Sequence, residues 1–257
     1  MLPCQGMKYQ GGFMRNNKIL FSLYQIYKYL IFYPFIGMTT ALFGSMAVLL
    51  SILIHQKVGT LMGIMWARLN SYMTPMWVTV KGKENIEKGQ SYVVVANHQS
   101  QYDIFVLYGW FPLDFKWVMK IQLRKVPFLG YSCYKIGHVF IDRSNHERAV
   151  ESINAAKEKI TGGTSIVFFP EGRRSKDGAL LPMKKGAFKF ALDMGLPILP
   201  VTIVGTKNIL PSGTTELFPG KAKMIIQPPI DISSYTDENI EDLMEKAKES
   251  MEQGLSQ

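Results

Sequence analysis

The chain of 257 residues is apolar and basic, with a formal net charge of +9, and 47% of its residues are hydrophobic, which excludes a largely disordered chain. Its two cysteines, Cys4 and Cys133, lie far apart, and its four histidines show no metal-ligand spacing, so neither a disulfide framework nor a metal site is indicated. Because no carboxylate precedes Glu84 and the basic residues are interleaved with apolar runs, the pattern favours an anionic membrane surface as partner over nucleic acid, for which no recognition motif is visible.

The first 76 residues have the composition of a helical membrane anchor. In residues 14–30, basic and polar residues recur every three or four positions and leave an apolar face opposite. This pattern is typical of a helix that lies in a membrane interface, and the alternative is a helix packed on the domain's own core.

The next stretch, residues 29–54, contains no charged residue. It is long enough to span a bilayer, for which about 20 apolar residues suffice. Pro34, Gly37 and Gly44 interrupt the run, so a kinked span and a re-entrant helical hairpin both remain open. A further helix is predicted over residues 58–73, before a proline.

From residue 77 onward, short β-branched runs alternate with helical stretches. Strands are predicted at residues 77–81, 92–96, 116–119, 139–141, 165–169, 198–204 and 223–227. Helices are predicted at residues 102–110, 146–160, 185–194 and 237–253. This alternation predicts an α/β fold with a mixed, largely parallel sheet flanked by helices. We assign it to residues 77–257, after an N-terminal helical membrane-anchoring segment at residues 1–76.

A polar cluster, Asn97-His98-Gln99-Ser100-Gln101-Tyr102-Asp103, directly follows the second predicted strand. Open α/β sheets usually place their sites at the carboxyl ends of strands. A histidine accepts a proton near neutral pH when one ring nitrogen is free, and a carboxylate on the other nitrogen fixes the tautomer and stabilises the imidazolium. His98 is therefore a candidate general base and Asp103 its orienting partner. A capping histidine and an ordinary helix N-cap are the alternative.

Three further segments follow in order: Gly137-His138-Val139-Phe140-Ile141-Asp142-Arg143, Phe168-Phe169-Pro170-Glu171-Gly172-Arg173-Arg174-Ser175 and Leu199-Pro200-Val201-Thr202-Ile203. Together with the first cluster, they resemble the four ordered blocks of the glycerophospholipid acyltransferase family. The likeness is closest to the bacterial 1-acylglycerol-3-phosphate (lysophosphatidic acid) acyltransferases and extends over residues 80–232. One position departs from the family pattern, since the third block usually has threonine where this chain has Arg173.

The resemblance implies transfer of a fatty acyl group from acyl-CoA or acyl carrier protein to the free hydroxyl of 1-acylglycerol 3-phosphate, giving phosphatidic acid, with no cofactor and no metal. His98 would remove the proton of the acceptor hydroxyl, which would attack the thioester directly, so no protein nucleophile is needed. Ser100 has the chemistry of a nucleophile, but a turn or helix-capping role is commoner. Acylation of another lysophospholipid or of glycerol 3-phosphate, and a catalytically silent lipid-binding module on the same fold, are the alternatives.

The acceptor's phosphate requires fixed cations, and the planar guanidinium of arginine suits phosphate oxygens. Arg143 and Arg174 follow apolar runs, and Gly172 allows backbone amides to approach an anion closely. By resemblance, Lys120 and Arg143 lie close to the phosphate, and Glu171, Gly172 and Arg174 order or bind the glycerol phosphate end. Surface ion pairs are the alternative for each arginine, and a structural role as acceptor of backbone amide bonds is the alternative for Glu171.

We therefore expect a protein of the cell membrane whose partners are membrane lipids, lysophosphatidic acid and the acyl donor. The small number of cysteines suits a reducing compartment, so the catalytic domain is expected on the cytoplasmic side, as at a bacterial inner membrane. The arm formed by residues 1–76 is expected to hold the protein on the membrane rather than to take part in the chemistry.

Overall fold

The computed structural model describes residues 17–142, 144–160 and 162–257. The strands are β1 (Met76–Lys81), β2 (Val93–Ala96), β3 (Phe115–Lys120), β4 (Val139–Ile141), β5 (Ser165–Phe168), β6 (Ile198–Val204) and β7 (Gly220–Ile226). Within the described residues they form one seven-stranded sheet in the order β1-β7-β6-β2-β5-β3-β4. β2 to β6 run parallel to one another, β7 is antiparallel to β6, and β1 is parallel to β7. The predicted mixed, largely parallel sheet is confirmed.

The α-helices of the described residues are α1 (Lys18–Tyr27), α2 (Tyr33–Leu53), α3 (Gln56–Met73), α4 (Tyr102–Trp110), α5 (Leu129–Lys135), α6 (His146–Ala156), α7 (Gly186–Met194), α8 (Thr206–Ile209) and α9 (Ile240–Leu255). Short 3₁₀ helices lie at Lys83–Asn85, Ile121–Lys125 and Lys157–Lys159. α9 begins three residues later than predicted, because Asn239 Oδ1 accepts the backbone N–H of Thr236 (2.6 Å) in a turn that precedes the helix.

The N-terminal helices form an antiparallel hairpin whose turn lies at Ile54 and His55. Asn70 of α3 donates to the hydroxyl of Thr39 in α2 (3.1 Å) inside this hairpin. The predicted helix over residues 58–73 is therefore the returning arm. The hairpin turn lies at the end of residues 29–54 and not in their interior, and whether the first arm spans the bilayer or lies in one leaflet stays a prediction.

The predicted helix breakers Pro34, Gly37 and Gly44 do not interrupt the first arm, and a π-helical turn, Lys28–Phe32, lies one residue before Pro34. Proline has no N–H to donate, and the wider turn accommodates its ring and the carbonyl groups left over. Lys28, a member of the predicted polar stripe, is buried instead. Its ammonium donates to the carbonyl oxygen of Thr215 (2.8 Å) and to Gln25 Oε1 (2.6 Å), which ties the hairpin to the loop before β7.

Helices cover both faces of the sheet. On one face, α2, α3 and α4 contribute Ala47, Ala67 and Leu107 to a core cluster. On the other face, α7 and α9 contribute Phe188 and Leu243 to a second cluster. Because the hairpin shares its core with the sheet, it is a packed part of the fold. The domain boundary after residue 76 stays a prediction.

The outer surface of the hairpin is apolar and exposed. The continuous helix Lys18–Leu53, of 36 residues, is long and apolar enough to cross a membrane, and 11% of its most apolar stretch is buried. α1 has no buried residue and exposes Ile19, Leu23 and Ile26. An apolar surface of this extent is typical of a membrane or partner contact. The other side of α1 packs Tyr24 and Tyr27 against the core, so the structure realises the core-packing alternative on that side, and the interfacial position stays a prediction.

Candidate active site

The predicted pair of His98 and Asp103 meets in the turn that joins β2 to α4. β2 is fully buried, and Asp103 stands in the first turn of the helix that follows. His98 Nδ1 and Asp103 Oδ2 are 2.8 Å apart, and His98 is 16% exposed whereas Asp103 is fully buried. Since Nδ1 faces the carboxylate, Nε2 is the ring nitrogen that can accept a proton from a substrate.

The carboxylate of Asp103 is held by more than the histidine. Its Oδ2 accepts the backbone N–H groups of Gln99 (2.7 Å) and Ser100 (2.8 Å), and its Oδ1 accepts the hydroxyl of Thr206 in α8. Bonds from several donors fix the carboxylate and, through it, the orientation of the imidazole. Asp103 is not the helix N-cap, which is Gln101, and its carboxylate instead holds the turn before α4 and the ring of His98.

The flat face of the His98 ring is fixed by stacking. Phe169, directly after β5, lies with its ring centre 4.0 Å from that of His98 and an interplanar angle of 14°. Trp117 of β3 stacks behind Phe169 at 5.7 Å and 24°. Hydrogen bonding at Nδ1 and stacking on the ring leave the imidazole little rotational freedom, as a positioned base requires.

Glu171 supports the dyad from the neighbouring loop. It is buried, with Oε1 accepting the backbone N–H of His98 (2.7 Å) and Oε2 accepting that of Leu181 (3.0 Å). Burial, with a smaller contribution from the charge of Asp103, raises the pKa of Glu171 from 4.5 to about 7, and the two amide bonds oppose this rise. The geometry gives Glu171 a structural role at the dyad, and its contact with substrate stays a prediction.

Gly172 occupies a position that requires glycine. Its φ is 72°, in the left-handed region that side chains rarely adopt. A Cβ there would also lie 3.2 Å from Cε of Lys184. The backbone N–H of Gly172 donates to the carbonyl oxygen of Phe169 (3.0 Å), so this amide shapes the turn. A role of Gly172 in substrate binding stays a prediction.

The predicted phosphate-binding cations lie at the carboxyl edge of the sheet as far as the structure describes them. Lys120 is exposed at the end of β3, which runs parallel to β2, and Arg174 is partly exposed in the loop after β5. Neither has an ion-pair partner among the described residues, and Asp177 bonds to Ser175 (2.8 Å) rather than to Arg174. Arg143 lies outside the described residues.

Other groups around the dyad have structural roles. The Ser100 hydroxyl donates to the carbonyl oxygen of Leu210 (2.7 Å) and accepts the Tyr102 N–H (3.1 Å), which is a capping role and not that of an activated nucleophile. Asn97 exchanges two hydrogen bonds with the backbone of Ile203 in β6 (2.6 and 2.9 Å). In the part of the chain that the structure describes, no cluster of three His, Cys, Asp or Glu could hold a metal ion.

An apolar cavity of about 760 Å³ opens beside this turn. Gln101 and Tyr102, from the turn and the start of α4, line its near end, together with Trp117. The wall continues through Phe105 of α4 and Trp66 of α3. The size lies within the range of ligand pockets, on the order of 300–1,000 Å³, and the lining suits a hydrocarbon chain.

A histidine–carboxylate dyad at the carboxyl edge of an α/β sheet, next to an apolar cavity, is an arrangement suited to taking a proton from a hydroxyl group beside a lipid chain. The family model described as Acyltransferase matches residues 77–204. A 1-acyl-sn-glycerol-3-phosphate acyltransferase of Limnanthes douglasii is 30% identical over 230 residues, which cover 88% of this chain and 81% of that protein. The chain belongs to the acyltransferase family.

Further relatives carry the same description. A chloroplastic 1-acyl-sn-glycerol-3-phosphate acyltransferase of Brassica napus is 35% identical over 190 residues, covering 73% of this chain and 54% of that protein. The Haemophilus influenzae enzyme is 32% identical over 166 residues, covering 64% and 68%. The chain spans about half the length of several of the curated relatives it matches. The crystal structure of a 1-acyl-sn-glycerophosphate acyltransferase from Thermotoga maritima superposes with a TM-score of 0.75, 29% identity and coverage of 93% and 96%.

Proposed function

We propose that this chain is a membrane-associated 1-acylglycerol-3-phosphate O-acyltransferase. It transfers a fatty acyl group from a thioester to the free hydroxyl of lysophosphatidic acid and forms phosphatidic acid. The observation that carries the proposal is the His98–Asp103 dyad beside an apolar cavity large enough for a lipid chain. The descriptions of the relatives support the same substrate.

The dyad provides a mechanism in two proton transfers. His98 Nε2 takes the proton of the acceptor hydroxyl while the oxygen attacks the thioester carbonyl, and the carbonyl oxygen becomes a tetrahedral oxyanion. Asp103 stabilises the imidazolium so formed. The intermediate collapses with cleavage of the carbon–sulfur bond, and His98 returns its proton to the leaving thiolate. The products are phosphatidic acid and a free thiol.

The cations would bind the phosphate of the acceptor, and the cavity would bind its hydrocarbon chain. Lys120 and Arg174 have no acidic partner among the described residues and lie near the dyad's edge of the sheet, where both are accessible to a phosphate. Arg143, two residues after β4, is the third candidate by sequence. A phosphate held at this edge would place the glycerol hydroxyl near His98, with the hydrocarbon chain directed to the cavity.

The proposal also covers the acyl donor and the cellular location of the protein. A thioester of coenzyme A or of acyl carrier protein supplies the acyl group, and no cofactor is required. The exposed apolar helix Lys18–Leu53 supports attachment to a membrane. We place the catalytic domain on the cytoplasmic side of a cell membrane, as at a bacterial inner membrane, where these thioesters are made.

A substrate panel with the purified full-length protein tests the proposal. Acyl-CoA and acyl carrier protein are offered as donors, and lysophosphatidic acid, glycerol 3-phosphate, other lysophospholipids and monoacylglycerol as acceptors. Thiol release and mass spectrometry of the lipid product are measured. We expect phosphatidic acid from lysophosphatidic acid. Preference for another acceptor would show that lysophosphatidic acid is not the substrate. No thiol release with any pair of donor and acceptor would indicate a catalytically silent lipid-binding module.

A further inference from the structure

A second exposed apolar surface lies outside the N-terminal hairpin, on the segment between β3 and β4. Four large side chains, here called the 126–134 surface, are Val126 (38% exposed), Phe128 (53%), Tyr131 (54%) and Tyr134 (46%). Single exposed apolar residues are ordinary on proteins, but four within one short segment form a patch that is typical of a contact surface.

The backbone holds these side chains outward. α5 places Tyr131 and Tyr134 three residues apart, on one face of the helix. Gly130 packs so closely that an added Cβ would lie 2.2 Å from the carbonyl oxygen of Arg124. Phe128 has a φ of 60°, in the left-handed region that favours glycine, and yet its ring is exposed. A strained backbone that presents an apolar ring to the outside indicates a function for that ring at the surface.

The surroundings of the 126–134 surface are basic. Residues 115–141 contain no carboxylate. The guanidinium of Arg124 lies 4.4 Å from the centre of the Tyr134 ring, and the ammonium of Lys135 lies 5.5 Å from that of Tyr131. Aromatic rings beside basic groups are typical of the membrane interface, where the rings sit at headgroup level and the cations meet anionic lipids.

The surface is continuous with the hairpin and with the cavity. A Cβ on Gly44 of α2 would lie 3.1 Å from the carbonyl oxygen of Phe128, so the two backbones are in contact. Val126 and Phe128 also line the 760 Å³ cavity. Because both are exposed as well, they lie at its rim.

We infer that the 126–134 surface lies in the headgroup and upper acyl region of an anionic bilayer, as a second membrane contact beside the hairpin. It holds the rim of the cavity at the level of the lipid chains. The inference goes beyond the proposed reaction, because it concerns the position of this surface and not the group transferred. A second copy of the chain is a poorer occupant, since a two-fold contact would bring the charges of Arg124 and Lys125 on both copies together.

Fluorescence quenching in the full-length chain tests this position without any activity readout. An environment-sensitive NBD label is attached at Tyr131→Cys, in a Cys4→Ser background that keeps the buried Cys133. The protein is placed in nanodiscs of phosphatidylcholine and phosphatidylglycerol that carry a nitroxide on the upper acyl chain. Matched labels are attached at Leu49→Cys, on the exposed side of α2, and at Glu249→Cys, on α9 behind the opposite face of the sheet. We expect quenching at positions 131 and 49 and none at position 249.

The charge requirement is tested in the same system. Each basic residue near the surface should favour insertion about fivefold. Arg124→Gln with Lys125→Gln should therefore weaken insertion about 25-fold and lower quenching at position 131, because two of the basic residues are removed. The control pair, Lys83→Gln with Lys88→Gln, lies in the loop before β2 and should leave quenching unchanged.

The outcomes decide between occupants. Quenching at position 131 no greater than at position 249 overturns the inference. Blue-shifted NBD emission at position 131 without lipid quenching would show that a second copy covers the surface, which also overturns it. Neither result depends on acyl transfer, so a failure of the proposed reaction remains distinguishable.

Discussion

Replacing Asp103 with asparagine removes one negative charge and keeps the shape of the side chain. Oδ2 faces the ring nitrogen of His98 and the amide N–H groups of Gln99 and Ser100, while Oδ1 faces the hydroxyl of Thr206. The amide can satisfy this arrangement only with its oxygen at the Oδ2 position and its NH₂ towards Thr206, whose hydroxyl also accepts. The turn keeps its hydrogen bonds in that orientation, so we expect the variant to fold.

The expected losses differ in size. Bonds to charged groups contribute roughly 1.5–3 kcal/mol and neutral ones about 0.5–1.5, so the free energy of unfolding should fall by about 1–2 kcal/mol. Turnover should fall by about 10²–10⁴-fold, because the imidazolium formed at His98 loses its counter-charge. The KM for the acceptor should change little, since Asp103 is fully buried and makes its contacts within the protein.

The assay compares kcat for thiol release with the midpoint of thermal unfolding in the same preparation. Asp193→Asn is the matched control, because Asp193 is a partly exposed carboxylate on α7 that pairs with Lys157 (3.1 Å). The control should keep both quantities near those of the parent. A folded Asp103→Asn protein with parental kcat would refute the reasoning, since the charge would then have no part in stabilising the histidine.

Three further predictions concern neighbouring groups. His98→Ala should lower acyl transfer by about 10²–10⁴-fold or more, with folding by circular dichroism and sedimentation with vesicles unchanged. Lys120→Ala or Arg174→Ala should raise the KM for lysophosphatidic acid about tenfold or more without changing the donor's KM; an equal effect on phosphate-free monoacylglycerol would count against phosphate binding. Because burial raises the pKa of Glu171 from 4.5 to about 7, folding takes up a proton in that range and stability falls as the pH rises through it. The fall is roughly 3 kcal/mol, and Glu171→Gln should flatten it in a plot of Tm against pH.

Local sequence determined the elements that have a clear period or a clear boundary. β2 and α4 agree with the sequence to within one residue, because a buried β-branched run, a polar turn and an apolar helix succeed one another there. The helices α5 and α8 could not be predicted, because seven and four residues are too few to show the helical repeat of apolar positions. The hairpin turn at Ile54 and His55 has neither glycine nor proline, so the sequence does not mark it. Pro34, which the sequence marks as a break, lies inside a continuous helix next to a π-helical turn.

The dyad could be predicted because its two members lie in one turn. The groups that hold it come from elsewhere: Phe169 and Glu171 follow β5, and Thr206 follows β6, while Leu181, in the loop beyond β5, holds Glu171. These elements meet because β2 lies between β5 and β6 in the sheet. No short-range pattern contains the strand order, so Thr206 and Leu181 could not be distinguished from other polar or loop residues by sequence alone.

The cavity joins membrane attachment to the proposed chemistry. The hairpin was expected to anchor the protein and to stay out of the reaction, but Trp66 of α3 lines the cavity and its ring centre lies 5.1 Å from that of Phe105 in α4. Ala67, on the same helix, belongs to the core cluster beneath the sheet. Removal of residues 1–76 would therefore take away part of the cavity wall and expose the core. Loss of activity after such a truncation could therefore come from a damaged cavity as well as from lost membrane attachment. Substitutions on the outer face of α2, such as at Leu49, change the membrane contact and leave the cavity wall in place.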